Sequence, residues 1–350
     1  MAILDFSEAR LEEVMVHLVG SRGQDEELVL SNSMLDLSGD LLRTLLQGYF
    51  LSHFKPGEFY SFTHDSDVKL NDVYSFVSSF FVEQKNLIDV SQEIAKHLFY
   101  VSSHPNIKNG ELYVASIRGC VVEGEQVDAL GIFKSEVKEN FLKVRSNDKS
   151  VVVEPEMGTS INRLDKGCLI FNTEQEDGFK IMVVDSTNKS NDALYWKEAF
   201  LRVAPRSDSF YQTKNYLNLC KDFAREVFSP QNEVEKTDQL LLLNRTEEFF
   251  TKAENFDEKV FQEVVLEQPE VVEAFNDYKH AYAEMNQVVF EPKFEISTEA
   301  TKKAKKFFKS VIKLDKRFHV YVHGGHEFME KGSDPDKGMH FYKLYFENEE

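Results

Sequence analysis

"ELYVASIRGCVV" (111–122) and "VDALGIFKSEVK" (127–138), separated by "EGEQ" (123–126), decide how the chain is read. Both runs are rich in β-branched residues, and a short glycine-containing loop between such runs is the local signature of an antiparallel hairpin. A turn on 123–126 sets Val122 opposite Val127, Glu111 opposite Lys138, Tyr113 opposite Glu136 and Ala115 opposite Lys134. Glu111, Lys134, Glu136 and Lys138 then share one face, and Leu112, Val114, Phe133 and Val137 the other.

The charged face has two readings. In the first it is a cross-strand ladder, stabilising the sheet by about 0.2–1 kcal/mol per pair. In the second, Glu111 and Glu136 hold a divalent cation while Lys138 polarises a water, the layout of a metal-dependent nuclease. Neither a third acid nor a basic groove accompanies the motif. The ladder is the expectation, and no catalytic residue, metal or cofactor is assigned.

Working outward, 11–30 reads as an opening hairpin, and 38–54, 72–81 and 91–102 carry apolar residues at helical spacing. Downstream, "SVVVEP", "TSINRL", "GCLIF" and "FKIMVV" read as further strands. Strands followed by helices predict an α+β fold, with an antiparallel sheet packed by helices on one face. After "RVAPR" the pattern becomes helical, over 208–228, 233–254, 258–266 and 269–285. A helix over 298–312 and two strands, "RFHVYVHGG" and "HFYKLYF", close the chain as a helix and β-hairpin. The expected domains are 1–205, 206–290 and 291–350. In the helical part, Phe249, Phe250, Phe256, Val260 and Phe261 make a stripe that suits a core, or a face shared by a homodimer; the core is the expectation.

The chain has 350 residues and 42% hydrophobic content, with 30 phenylalanines, enough for substantial cores. Its net charge of −19 repels nucleic acid and anionic membranes at long range, so any contact with DNA has to be local. Cys120, Cys168 and Cys220 are widely spaced and suit reduced intracellular thiols. With no cationic leader and no apolar run of membrane-spanning length, the expected location is the cytoplasm.

Longer blocks carry a resemblance. "SQEIAKHLFYVSSHPNIKNGELYVASIRG" (91–119) and "VDALGIFKSEVKENFLKV" (127–144) resemble the central signature of the bacterial nucleoid-associated (NdpA-like) protein family. "VHLVG" (16–20), "YFLSHF" (49–54), "DVKLNDVY" (67–74) and "FKSVIKLDKRFHVYV" (308–322) extend it in order over nearly the whole chain. The resemblance implies association with the bacterial nucleoid and DNA as a partner; it supplies no catalytic set.

The stretch 299–317 holds eight cationic residues against two acidic ones, a local +6 in a chain whose remainder carries −25. On one helix, Ala304, Phe307, Phe308, Val311 and Ile312 form the apolar stripe. Lys302, Lys303, Lys305, Lys306, Lys309 and Lys313, with Arg317 beyond, then present a cationic ridge. Such a ridge binds phosphates without reading sequence. A solvated lysine face paired with the acidic body is the alternative. His319, His323, His326 and His340 gather nearby and read as surface histidines, and His97 and His104 as caps of a helix end.

Phosphate-loop, dinucleotide-fold, nucleophile-elbow and zinc-protease templates find no match, and "HGGHE" (323–327) lacks their spacing. The first expectation is a non-specific DNA-binding protein of the nucleoid. The alternatives are the Glu111/Glu136/Lys138 nuclease, and a scaffold recruited by a DNA-handling protein partner.

Overall fold

Residues 4–147, 150–186, 195–232, 234–308, 311–321 and 328–348 are described by the computed structural model. The quoted runs do pair, as β5 (Gly110–Val122) and β6 (Glu125–Ser135), but through a tighter turn than the loop suggests. Glu123 and Gly124 both take positive φ, at 52° and 88°, and make a two-residue turn whose twist matches that of the strands. Val122 therefore faces Glu125. An irregularity between Ile117 and Cys120, where Gly119 sits at φ 75°, shifts the register again. Glu111 then faces Ser135 and Leu112 faces Lys134, which corrects the pairing expected of a 123–126 turn.

The chain divides into two compact units, Met1–Arg206 and Ser207–Glu350. In the first, β5 and β6 are central to a nine-stranded sheet. Its other strands are β1 (Leu4–Asp5), β2 (Arg10–Val19), β3 (Leu28–Val29), β4 (Tyr60–Phe62), β9 (Lys166–Phe171), β10 (Lys180–Asp185) and β11 (Val203–Pro205). The order is β11-β4-β10-β9-β6-β5-β2-β3, with β1 on β5, and every pairing is antiparallel.

Helices cover both faces, where one was expected. On one side α2 (Asp72–Phe81), α3 (Leu87–Val101) and the wide turn Tyr195–Leu201 pack on Leu112, Val114, Leu130, Ile132, Cys168 and Ile170. On the other, α1 (Asp40–Leu51) delivers Phe50 onto Phe133, rings stacked at 4.2 Å, beside Ala115, Ile117 and Leu169. Asn71 and Asn86 cap α2 and α3 by accepting from the Tyr74 and Asp89 N–H groups, at 3.0 and 2.9 Å. The Asn86 cap is why α3 starts four residues before the expected 91.

β7 (Lys138–Asn147) and β8 (Ser150–Thr159) pair with each other as a separate two-stranded ribbon. The run "TSINRL" leaves the strand at its first residue.

In the second unit α4 (Ser209–Glu226), α5 (Lys236–Lys252), α6 (Glu258–Phe261) and α7 (Pro269–Asn286) follow the expected order. They enclose an aromatic core with Tyr216, Phe223, Phe250, Phe256, Phe261 and Phe275 buried and Phe249 packed against it. Val260 is exposed. β12 (Asn255–Asp257) and β13 (Lys293–Glu295) pair beside this core.

The expected 298–312 helix is not continuous. α8 (Thr298–Ala304) passes into a 3-10 turn, Lys305–Phe307, and 311–314 form β14 (Val311–Leu314). β14 pairs with β15 (Phe318–Tyr321) across a turn with Asp315 at φ 51°. β16 (Met329–Asp334) pairs with β17 (Met339–Leu344), so the two terminal runs sit in separate hairpins and not in one. The tertiary reason is visible at Ile312, buried against Leu240 and Met329 with Leu314, Val320 and Tyr342 around them. Alternation at 312, 314 and 320 matches a strand face, and burying it outweighs the helical spacing of 304–308.

Candidate functional site: a buried ionic row and an exposed lysine turn

The alternation that drew attention to Lys134 places it on the sheet face toward α2 and α3. Facing positions on the neighbouring strands are Lys166 on β9 and Asp185 on β10, giving a row Asp185, Lys166, Lys134 across three strands. Lys134 and Lys166 are completely buried. Two opposed ammonium groups repel, so the row needs acids. Asp185 lies 3.0 Å from Lys166 Nζ, and Glu136 reaches Lys134 Nζ at 3.0 Å and Lys166 Nζ at 3.9 Å. Tyr195 closes the site by donating to Glu136 Oε1 at 2.6 Å, with Lys134 donating to its hydroxyl at 3.2 Å and to the Lys108 carbonyl at 2.7 Å. Burial pulls the Lys134 ammonium below the ordinary lysine range, and the Glu136 carboxylate pulls it back. Burial, reinforced by Glu136, pushes the Tyr195 phenol well up.

Asp165 fixes the corner where β6 gives way to β7: its Oδ2 accepts the Glu136 and Val137 N–H groups at 2.7 and 2.8 Å. The residues singled out by the sequence are thus divided. Glu136 belongs to the buried row, whereas Glu111 is ion-paired with Lys138, which also donates to Thr159 Oγ1 at 2.8 Å. Glu111 and Glu136 each commit to a different lysine. Among the described residues no group of three or more His, Cys, Asp or Glu side chains is arranged to hold a metal ion. What the arrangement can do is hold three strand ends in register.

The lysines of the basic stretch have the opposite setting. Lys302 and Lys303 lie on α8 and Lys305 and Lys306 on the 3-10 turn, while Lys313 is in β14 and Arg317 in the turn that follows it; Lys309 lies outside the described residues. The single helical ridge is thereby corrected to a short lysine turn followed by a hairpin. Lys302 and Lys305 approach Glu299 and Glu247 at 3.3 and 3.4 Å, yet their side chains remain 71% and 66% exposed. Pairs of that kind contribute about 0–1 kcal/mol and exchange readily with other anions.

Aromatic rings accompany the cations. Phe307 is half exposed, with Lys306 Nζ 4.8 Å and Lys221 Nζ 5.4 Å from its ring centre, and Lys303 lies 5.1 Å from that of Phe210. Phe318 and Tyr321 on β15 are exposed as well.

His319 and His340 are exposed on separate hairpins, and His323 and His326 lie outside the described residues. His97 does not cap its own helix; its Nε2 meets the Phe200 carbonyl at 3.2 Å. His104 Nδ1 accepts the Asn106 N–H at 3.2 Å. A buried histidine missed from sequence is His17 on β2: its Nδ1 accepts the Ser31 N–H at 3.1 Å, which leaves the proton on Nε2 facing Ser91 Oγ at 3.0 Å. Burial lowers its pKa to about 4.

Sequence reasoning also missed Lys166, Asp165, Asp185, Tyr195 and Lys221. A polar residue at the edge of an apolar run, as in "LDKGCLIF" and "IMVVDS", was the one available signal for the row.

Comparison with known proteins shows the family. A family model described as "Nucleoid-associated protein YejK" matches residues 15–335, which takes in most of the sheet and the lysine turn. No curated protein matches.

Proposed function

We propose that this chain, which belongs to the nucleoid-associated protein YejK family, reaches the nucleoid by binding DNA itself, through the lysine turn 302–306 and without sequence preference. The observation that carries the reading is that Lys302 and Lys305 stay largely in solvent although each has a carboxylate within reach. A phosphate competes on favourable terms with such a partner, because each one neutralised also releases condensed counterions. Lys303 at the end of α8 and Lys306 in the 3-10 turn that follows lie beside them, and Lys221 approaches through Phe307.

Lysine ammonium groups act as point charges that position a protein on the backbone and leave base edges unread. The −25 carried by the rest of the chain opposes a broader footprint, so the contact is confined to this turn and is salt-sensitive. On this reading the protein works in the cytoplasm, at the nucleoid, without needing a protein recruiter.

Gel retardation with unrelated duplexes at low salt tests it. Wild-type protein retards all of them equally, and the combined change of Lys302, Lys303, Lys305 and Lys306 to Glu moves the shift to a far higher protein concentration. Equal retardation by the variant overturns the reading. Magnesium-dependent cleavage lost on Glu136→Ala selects the nuclease; no binding by wild type, with a DNA-handling protein recovered in its place, selects the scaffold.

A further inference from the structure

The β7–β8 ribbon has two unlike faces. Side chains alternate along a strand, so the pairs Leu142–Pro155, Val144–Val153, Ser146–Val151 and Asn140–Met157 share one face. The pairs Phe141–Glu156, Lys143–Glu154 and Arg145–Val152 share the other. On the second, charges cancel locally: Lys143 lies 2.9 Å from Glu156, and Arg145 lies 3.7 Å from Glu154 and from Glu156. On the first, Leu142, Val144, Val151, Val153 and Met157 are between 53% and 72% exposed. Valines and leucines in a ribbon that covers none of them call for a partner.

We propose that this apolar face packs against the same face of a second copy of the chain, making the ribbon a self-association arm. Charge selects that occupant. The ribbon, residues 138–159, carries four cationic and four acidic residues and is neutral, in a chain of net −19. Outside the ribbon and the basic stretch 299–317 the chain carries −25, so copies meeting through those surfaces bring like charges together; two ribbons do not. A polyanion gains nothing from a neutral apolar strip, and an anionic bilayer is repelled by the chain's net −19.

Size agrees. Ten residues at about 3.3 Å per residue, on two strands about 4.8 Å apart, make a face roughly 33 Å long, stacking on its copy at about 10 Å as in a β-sandwich. Two such faces remove on the order of 1,000 Å² from water, which is the lower end of specific interfaces and fits a reversible dimer. Pro155 lacks the backbone N–H that strand addition along β8 would use, which favours contact through the face over the edge. The inference is independent of DNA binding, since none of the lysines 302–306 takes part.

Sedimentation velocity of the full chain over about 1–100 μM tests it. The wild type passes from monomer to dimer as concentration rises. The double variant Val144→Glu/Val153→Glu stays monomeric, whereas Val152→Glu, on the charged face between Val151 and Val153, dimerises as the wild type does. Circular dichroism confirms that all three are folded. Because Cys120, Cys168 and Cys220 are buried, Leu142→Cys supplies an accessible thiol that forms an intermolecular disulfide on mild oxidation. A wild type that remains monomeric throughout, a dimer indifferent to the double variant, or equal loss with Val152→Glu overturns the proposal. So does a monomer whose ribbon cosediments with DNA or vesicles in place of a second copy.

Discussion

Lys134 and Lys302 are the same residue type in short, charge-rich stretches, and the fold puts them to opposite uses. Lys134 has no exposed side-chain surface and is held by Glu136, Tyr195 and the Lys108 carbonyl. Lys302 has one carboxylate at 3.3 Å and is largely in water. A lysine's availability to a ligand depends on what it gives up to reach it. Removing a partner from the buried row strands a charge in a low-dielectric interior, while removing Glu299 leaves a solvated ammonium. One region is therefore a structural clasp, and the other leaves its ammonium groups in solvent.

The largest expected effect tests the buried side of this contrast. Glu136→Gln leaves Lys134 without its ion-pair partner and opposed to Lys166, and lowers unfolding free energy by about 3–5 kcal/mol in urea titrations. DNA affinity of the folded protein stays unchanged. A loss below about 1 kcal/mol breaks the comparison, because the row then behaves like a surface pair.

Next comes the exposed side. Reversing charge at Lys302, Lys303, Lys305 and Lys306 weakens DNA binding by roughly 100-fold near physiological salt, with stability altered by about 1 kcal/mol or less.

His17 sharpens the contrast, since a buried basic group with neutral neighbours stays uncharged. Its folded pKa of about 4 lies below the ordinary histidine value of about 6.5. Between those values the unfolded chain binds a proton that the folded chain refuses. Its contribution to stability is present above about pH 6.5 and is lost as pH falls toward 4, by about 1.4 kcal/mol per unit. Urea midpoints measured from pH 7 to 5 show that slope in wild type and a shallower one in His17→Gln.

The smallest effect is at Glu111, whose partner Lys138 is partly exposed. Glu111→Gln lowers stability by about 1 kcal/mol or less; a loss comparable to that of Glu136→Gln merges the two lysine classes.

Much of the architecture was legible because it rests on local signals. α2 starts and ends as its spacing and its Asn71 cap dictate, and α4, α5 and α7 follow their stripes to within a few residues. The β5–β6 hairpin was legible in kind and not in register, because both turn residues take positive φ and a further shift lies beside Gly119. A two-residue turn and a bulge each move every facing pair, and neither changes the apolar alternation from which the strands were read.

The ionic row was hidden for another reason. Lys134, Lys166 and Asp185 meet through pairings of β6 with β9 and β9 with β10, and Tyr195 arrives from a separate turn. No spacing within a single segment records those meetings. At the lysine turn the residues were legible and the shape was not: burial of Ile312 against Leu240 and Met329 converts the end of a helical pattern into β14.

Whether the lysine turn is the contact with DNA is decided by the salt dependence of affinity. Equilibrium binding of a mixed-sequence duplex, measured across a series of salt concentrations, gives the slope of log K against log salt for wild type and for the Lys302/303/305/306→Glu variant. Each lysine that neutralises a phosphate adds close to one unit to that slope, so the wild-type line is steeper than the variant's by about 3–4. Parallel lines would contradict the account, placing the contact with DNA elsewhere on the molecule.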